Sequence, residues 1–165
     1  MKRNASVAGG FTLVEVLVVV TIIAVAGAIV VPHLLEPSNW SVQAASRIVI
    51  ADLLFAQNEA IARQAPRRVI FDAANNTYRV ADNTDVTVEL PFRGGDYVVD
   101  FDKDNRFSGV RLENVNLGGP DPSRVEFDPL GGTSAGGTLE LATNNTRYRI
   151  TVAPITGRVT VAPVP

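Results

Sequence analysis

Hydrophobic and polar positions divide this chain into three textures. From Phe11 to Val31 it reads FTLVEVLVVVTIIAVAGAIVV, an apolar run of 21 residues with one charge, Glu15. At about 1.5 Å per residue a helix of that length spans about 31 Å, close to the ~30 Å hydrocarbon core of a bilayer. From Ser41 to Gln64 the pattern changes. Val42, Ala45, Val49, Leu53, Ala56 and Ala60 recur at spacings of three and four, the period of a helix with one apolar face. Ile50, Leu54 and Ile61 widen that stripe, while Gln43, Arg47, Asn58, Glu59 and Arg63 fall on or near the other side. Beyond Pro66 the apolar stretches shorten to strand length. Candidate strands are Arg68–Phe71, Thr77–Val80, Val86–Leu90, Tyr97–Phe101, Val110–Leu117, Arg124–Phe127, Thr138–Leu141, Tyr148–Val152 and Arg158–Val161, punctuated by Asn75-Asn76 and by paired glycines. Hairpin spacing of this kind predicts antiparallel sheets packed against the helix.

The expected architecture is therefore α+β: a long N-terminal hydrophobic helix, then an amphipathic helix on antiparallel β-sheets. Its segments are a leader over 1–10, a transmembrane helix over 11–35, an amphipathic helix over 36–66 and a β-rich head over 67–165. Pro32 removes a backbone donor and crowds the preceding turn, and Pro37 follows, so a helix kink is expected at Pro32 and a hinge or loosened turn over His33–Glu36. Ser38 or Asn39 can cap a new helix near Trp40. Pro66 is expected to end it.

Charge sharpens the reading of the N-terminus. Lys2 and Arg3 precede the apolar run, which favours a cytoplasmic leader and a head carried across the membrane. An ordinary secretory signal would have a shorter apolar core followed by a small-residue cleavage site; here Ala8-Gly9-Gly10 stands before the run. A plain anchor has no use for Glu15, because a carboxylate at depth in a membrane costs roughly 2.5–3.5 kcal/mol on insertion scales. Cleavage before Phe11 would create a cation, the new α-amine, within one or two turns of that carboxylate.

Gly10-Phe11-Thr12-Leu13-Val14-Glu15 resembles the processing motif of type IV pilins and type II secretion pseudopilins. The resemblance implies leader cleavage by a prepilin peptidase between Gly10 and Phe11, N-terminal methylation of Phe11, and pairing of Glu15 with the N-terminus of a neighbouring subunit during assembly. Pro32 falls where such helices often carry a proline. A second resemblance lies in the head. Ala51–Ile61, Phe127-Asp128-Pro129-Leu130-Gly131 and Thr156-Gly157-Arg158-Val159 are similar to segments of the GspH/FimT family, with Gln57 where that family often has arginine. It implies a minor pseudopilin of a type II secretion pseudopilus, anchored in the bacterial inner membrane with its head on the periplasmic side. Its implied partners are other pilin or pseudopilin subunits and a secreted protein cargo. The alternative is a FimT-like minor type IV pilin acting in pilus assembly or DNA uptake.

Remaining chemistry changes little. A formal charge of -2 makes nucleic acid an unexpected partner, and the C-terminal Thr160–Pro165 lacks the basic residues that DNA-binding relatives use. Arg147, Arg149 and Arg158 are expected to form a solvated face. No cysteine is present, which removes disulfides and thiolate ligands. Asp100, Asp102 and Asp104 alternate like the start of a calcium loop, but the required glycine and the glutamate at the twelfth position are missing, so a hairpin tip is expected and no metal. His33 is the one histidine and lies outside the head. Ser108, Ser123 and Ser134 therefore have no base to activate them. Neither a catalytic constellation nor a cofactor site is expected, and the chain is read as a structural subunit, not an enzyme. An anchored enzyme or substrate binder is the third reading.

Overall fold

The computed structural model of the chain describes residues 12–34, 38–90 and 94–164, with side chains described over 12–28, 40–90 and 94–164. It divides into two units, residues 1–36 and 37–165. The first contains helix α1 (Leu13–Leu34). Its large apolar side chains from Leu13 to Val25 stand exposed, and Thr21 returns its hydroxyl to the Leu17 carbonyl at 2.7 Å. Among the described residues no helix is long and apolar enough to cross a membrane; the expected span, Phe11–Val31, lies only partly within those residues. Pro32 sits in the last turn of α1, which continues to Leu34. The hinge expected over His33–Glu36 therefore begins no earlier than residue 35, and the remainder of that expectation lies outside the described residues. A proline forfeits its own hydrogen bond but leaves the next residues free to finish the turn.

The second unit opens with α2 (Ser38–Arg63). Val42, Ala45, Val49, Leu53, Ala56 and Ala60 have no exposed surface, as their spacing predicts. The widening of the stripe holds at Ile50, which packs half-buried against the core, but not at Leu54 and Ile61, which are 43% and 41% exposed. The end of the helix also differs from expectation. Gln64 takes a left-handed φ of 51°, and the Ala65 N–H turns back to the Ala60 carbonyl at 3.2 Å, so the chain leaves the helix before Pro66 acts.

Among the described residues, eight strands form two antiparallel sheets. The first, ordered β3-β2-β1-β5, joins β1 (Arg67–Asp72), β2 (Thr77–Asp82), β3 (Val98–Asp100) and β5 (Arg124–Phe127). The second, ordered β4-β6-β7-β8, joins β4 (Arg111–Asn116), β6 (Gly137–Ala142), β7 (Arg147–Val152) and β8 (Val159–Val164). Helix α2 lies against both, touching β1, β5, β6, β7 and β8.

Local departures from the expected strands have local causes. Val86–Leu90 is not a strand; it makes the isolated bridges Ala81↔Thr87 and Glu89↔Asp96, because the 83–87 loop is tied down by Arg68 and Arg79, which donate to the Asn83 and Asp85 carbonyls. A short 3-10 helix (Asn105–Phe107), capped by Asp104, replaces part of the expected hairpin tip. Strand β4 breaks register with β6 between Glu113 and Asn116, where Asn114 has a φ of 48°. At the opposite edge, β8 carries Pro163, opposite Tyr148. Phe71, Tyr78, Phe101 and Phe107 form a chain of ring contacts 5.4–5.6 Å apart in the core.

Candidate functional site

Gly10 and Phe11 lie outside the described residues. Just beyond them, the Thr12 hydroxyl accepts the Glu15 N–H at 3.2 Å and the Thr12 carbonyl accepts the Val16 N–H at 3.2 Å. That is N-cap geometry, and Thr12-Leu13-Val14-Glu15 has the spacing of a capping box. The helix thus starts at Leu13, two residues after the expected cleavage junction. Glu15 lies in its first turn, exposed, at the end where the helix dipole favours negative charge. The kink expected at Pro32 concerns a position whose side chain is not described. Trp40 is 76% exposed at the start of α2.

In the head, the three family-like segments converge on the last turns of α2. Gln57 Nε2 donates to the Gly131 carbonyl at 2.6 Å and to the Thr156 carbonyl at 3.3 Å. Gly131 presses on the helix: a methyl group there would come within 2.8 Å of Ile61 Cδ1. At Gly157 a methyl would come within 2.9 Å of both the Gly131 carbonyl oxygen and Phe127 Cε1. Both glycines have positive φ, 83° and 63°, so close approach and backbone conformation each exclude a side chain. Asp128 Oδ1 accepts the Leu130 and Gly132 N–H groups at 2.8 and 2.9 Å, and the Ile155 N–H donates to the Thr133 carbonyl at 2.7 Å. Two loops are thereby strapped to the helix and to each other.

The aspartates near the calcium-like stretch turn to different tasks. Asp100 accepts the Asp102 and Lys103 N–H groups and pairs with Lys103 at 2.9 Å. Asp102 accepts from Asn76 at 2.8 Å, and Asp104 holds Arg106. Among the described residues no group of three or more His, Cys, Asp or Glu side chains is placed to hold a metal ion. The candidate arginine face is likewise engaged. Arg149 binds Glu140 at 2.7 Å, and Arg147 pairs with Glu113 at 3.0 Å and Glu140 at 3.6 Å. Asn114 and Arg149 hold the Glu140 carboxyl below the usual range. Arg158 stands apart, exposed and with no side-chain partner among the described residues.

Two buried polar residues escaped the sequence reading. Asp52 is 7% exposed; it accepts the Tyr78 hydroxyl at 2.5 Å and the Tyr97 hydroxyl at 2.7 Å. Burial pushes its pKa up against the pull of those hydrogen bonds, and the tyrosines are pushed up in turn. The available signal was a carboxylate beside the stripe, one turn from Val49 and Ala56. Asn76, at a left-handed φ of 55°, donates to Asp102 and the Val110 carbonyl and accepts the Leu112 N–H at 2.9 Å. It fastens the β1–β2 turn to the start of β4.

Residues 45–157 match the family model described as type II transport protein GspH. The chain belongs to the GspH family. Residues 6–31 match the prokaryotic N-terminal methylation motif. The type II secretion system protein H of Xanthomonas campestris pv. campestris is 26% identical over 158 residues, covering 94% of this chain and 83% of that protein. In fold, the GspH head is similar to the minor pseudopilin EpsH of the Vibrio cholerae type 2 secretion system, at a TM-score of 0.56 and 15% identity over 74% of this chain and 97% of that one. It is also similar to the type IV minor pilin FimU of Pseudomonas aeruginosa, at 0.53 and 14% over 74% and 88%. The pilin-like α+β fold is thus common to both machines, while the family match makes this GspH chain a minor pseudopilin.

Proposed function

We propose that the chain is cut by a prepilin peptidase between Gly10 and Phe11, methylated at Phe11, and assembled through α1 into a type II secretion pseudopilus. The carrying observation is the union, in one chain, of the methylation motif over 6–31 with the GspH head over 45–157. In this reading the apolar N-terminal segment sits in the inner membrane, the head lies on the periplasmic side, and the head meets secreted protein cargo. Glu15 is the residue that sets register. A carboxylate left without a cation in hydrocarbon is costly, and the methylated amine of a neighbouring subunit's first residue supplies one. The Thr12 cap supports this reading by starting the helix at once, which keeps Glu15 within a turn of its own chain's start and so at the level of a neighbour's. The role is structural and involves no catalysis.

The test is intact mass and N-terminal sequencing of the membrane-expressed chain, with and without a prepilin peptidase. A product starting at methylated Phe11 is expected. A chain still starting at Met1 in the presence of the enzyme, or one cut near Ala28, overturns the reading.

A further inference from the structure

Arg67 stands where the fold asks for an apolar side chain. Strand β1 alternates buried and half-buried positions, and Arg67 shares its buried row with Val69 and Phe71. Arg67 is 8% exposed. Its Nη1 donates to the Pro66 carbonyl at 3.0 Å, while its buried Nε has no hydrogen-bond partner among the described residues. Arginine is almost never buried without a counter-charge, and an unpaired buried ion is costly. The carboxylates around it are engaged elsewhere or face water. Asp82 lies opposite Arg67 in the β1–β2 register, yet its Oδ1 receives the Thr84 N–H, the Thr84 hydroxyl and the Val86 N–H at 2.8, 2.7 and 3.1 Å. Glu59 pairs with Arg63 at 2.6 Å, and Glu89 is exposed.

Arg67 lines a cavity of about 440 Å³ between α2 and the 86–90 segment, within the ~300–1,000 Å³ range of small-ligand clefts. Phe55, Val88 and Leu90 supply its apolar wall. That wall is fixed: the Val88 N–H donates to the Val80 carbonyl at 2.9 Å, the Val88 carbonyl accepts the Tyr97 N–H at 2.8 Å, and Arg79 donates to the Thr87 hydroxyl at 3.2 Å. We infer that this cavity binds a monoanionic carboxylate with an apolar body, the carboxylate on the Arg67 guanidinium and the apolar part against Phe55, Val88 and Leu90. The planar fork of arginine matches a carboxylate. A phosphate dianion would meet Glu59, Asp82 and Glu89, which also line the cavity, and such like-charge contacts select against it. The carboxylate belongs either to a free acid or to the C-terminus of a peptide. The site lies wholly within the head, so it stands independently of the filament reading above.

The experiment titrates the detergent-solubilised full-length chain, followed by saturation-transfer NMR, with N-acetyl-leucine, its amide, the tripeptide alanyl-alanyl-leucine and inorganic phosphate. Saturable binding of the carboxylates and none of the amide is expected. Tighter binding of the tripeptide assigns the site to a peptide C-terminus, and tighter binding of N-acetyl-leucine assigns it to a free acid. Failure of both carboxylates to saturate, equal binding of the amide, or displacement of N-acetyl-leucine by equimolar phosphate overturns the site. Arg67→Gln is expected to weaken carboxylate binding about tenfold, the loss of one charge-assisted pair. Val86 lines the cavity and is 62% exposed, so Val86→Trp is expected to obstruct the cavity and lower binding at an unchanged melting temperature. Val86→Trp decides the question even where Arg67→Gln fails to fold. Full affinity in Val86→Trp, or in a folded Arg67→Gln, overturns the inference.

Discussion

Asp52 ties α2 to Tyr78 and Tyr97 through its carboxylate alone, which makes the head's stability respond to pH in an unusual direction. Its folded pKa is raised by burial. The folded head therefore holds this proton more tightly than the unfolded chain, whose carboxylate titrates near 3.9. The corresponding stability is fully present below that value and is lost as pH rises through the folded pKa. Comparing urea unfolding of the wild type with Asp52→Asn from pH 3 to pH 8 should show the wild type losing stability relative to the variant across that window. A constant difference at all pH values would refute the assignment. Asn76 belongs to the same scale. Asn76→Ala removes three hydrogen bonds and puts a less suited residue at a positive φ, an expected loss of about 2–4 kcal/mol in denaturant unfolding. Neither residue's role could be read from local pattern. Asp52 meets tyrosines 26 and 45 positions away, and Asn76 looks like any turn asparagine until β4 is laid beside it.

Helix α2 was legible because its information is periodic. One face repeats every three to four residues, and that face is buried from Val42 to Ala60. The stripe's width was not legible, since hydrophobicity alone does not tell a side chain that meets a sheet from its neighbour on the outer face. The distinction is measurable at adjacent residues. Leu53→Ala, which empties a fully buried position, is expected to destabilise the head by about 2–5 kcal/mol. Leu54→Ala is expected to cost less than about 1 kcal/mol in the same assay. Strand existence was largely readable from alternation and turn residues. Val86–Leu90 misled because it has strand composition while the arginines of β1 and β2 set its path, and that constraint appears only once the strands are paired.

At the scale of the whole chain, the N-terminal proposal could be stated from sequence because its chemistry depends on residues next to one another: leader, junction and carboxylate. Gly10→Leu is expected to leave full-length precursor on a mass measurement. Glu15→Ala is expected to be cleaved and inserted yet to enter filaments poorly, and normal incorporation would refute the pairing. The Gln57–Gly131–Gly157 junction was the opposite case. Its three segments were each visible as motifs, but their meeting on one surface is a product of the fold. The arginine pairs on the second sheet bear on nucleic acid: with Arg147 and Arg149 committed to Glu113 and Glu140, the head is expected to give no salt-dependent DNA shift. The two outer strands of that same sheet have a consequence for crowding. A subunit packed among copies and relatives is exposed to runaway strand exchange between neighbours, the route by which sheet proteins form amyloid-like ribbons. The register break in β4 interrupts one template for such growth, and Pro163 in β8, lacking an N–H, interrupts the other, so polymerisation is left to contacts that can be started and stopped.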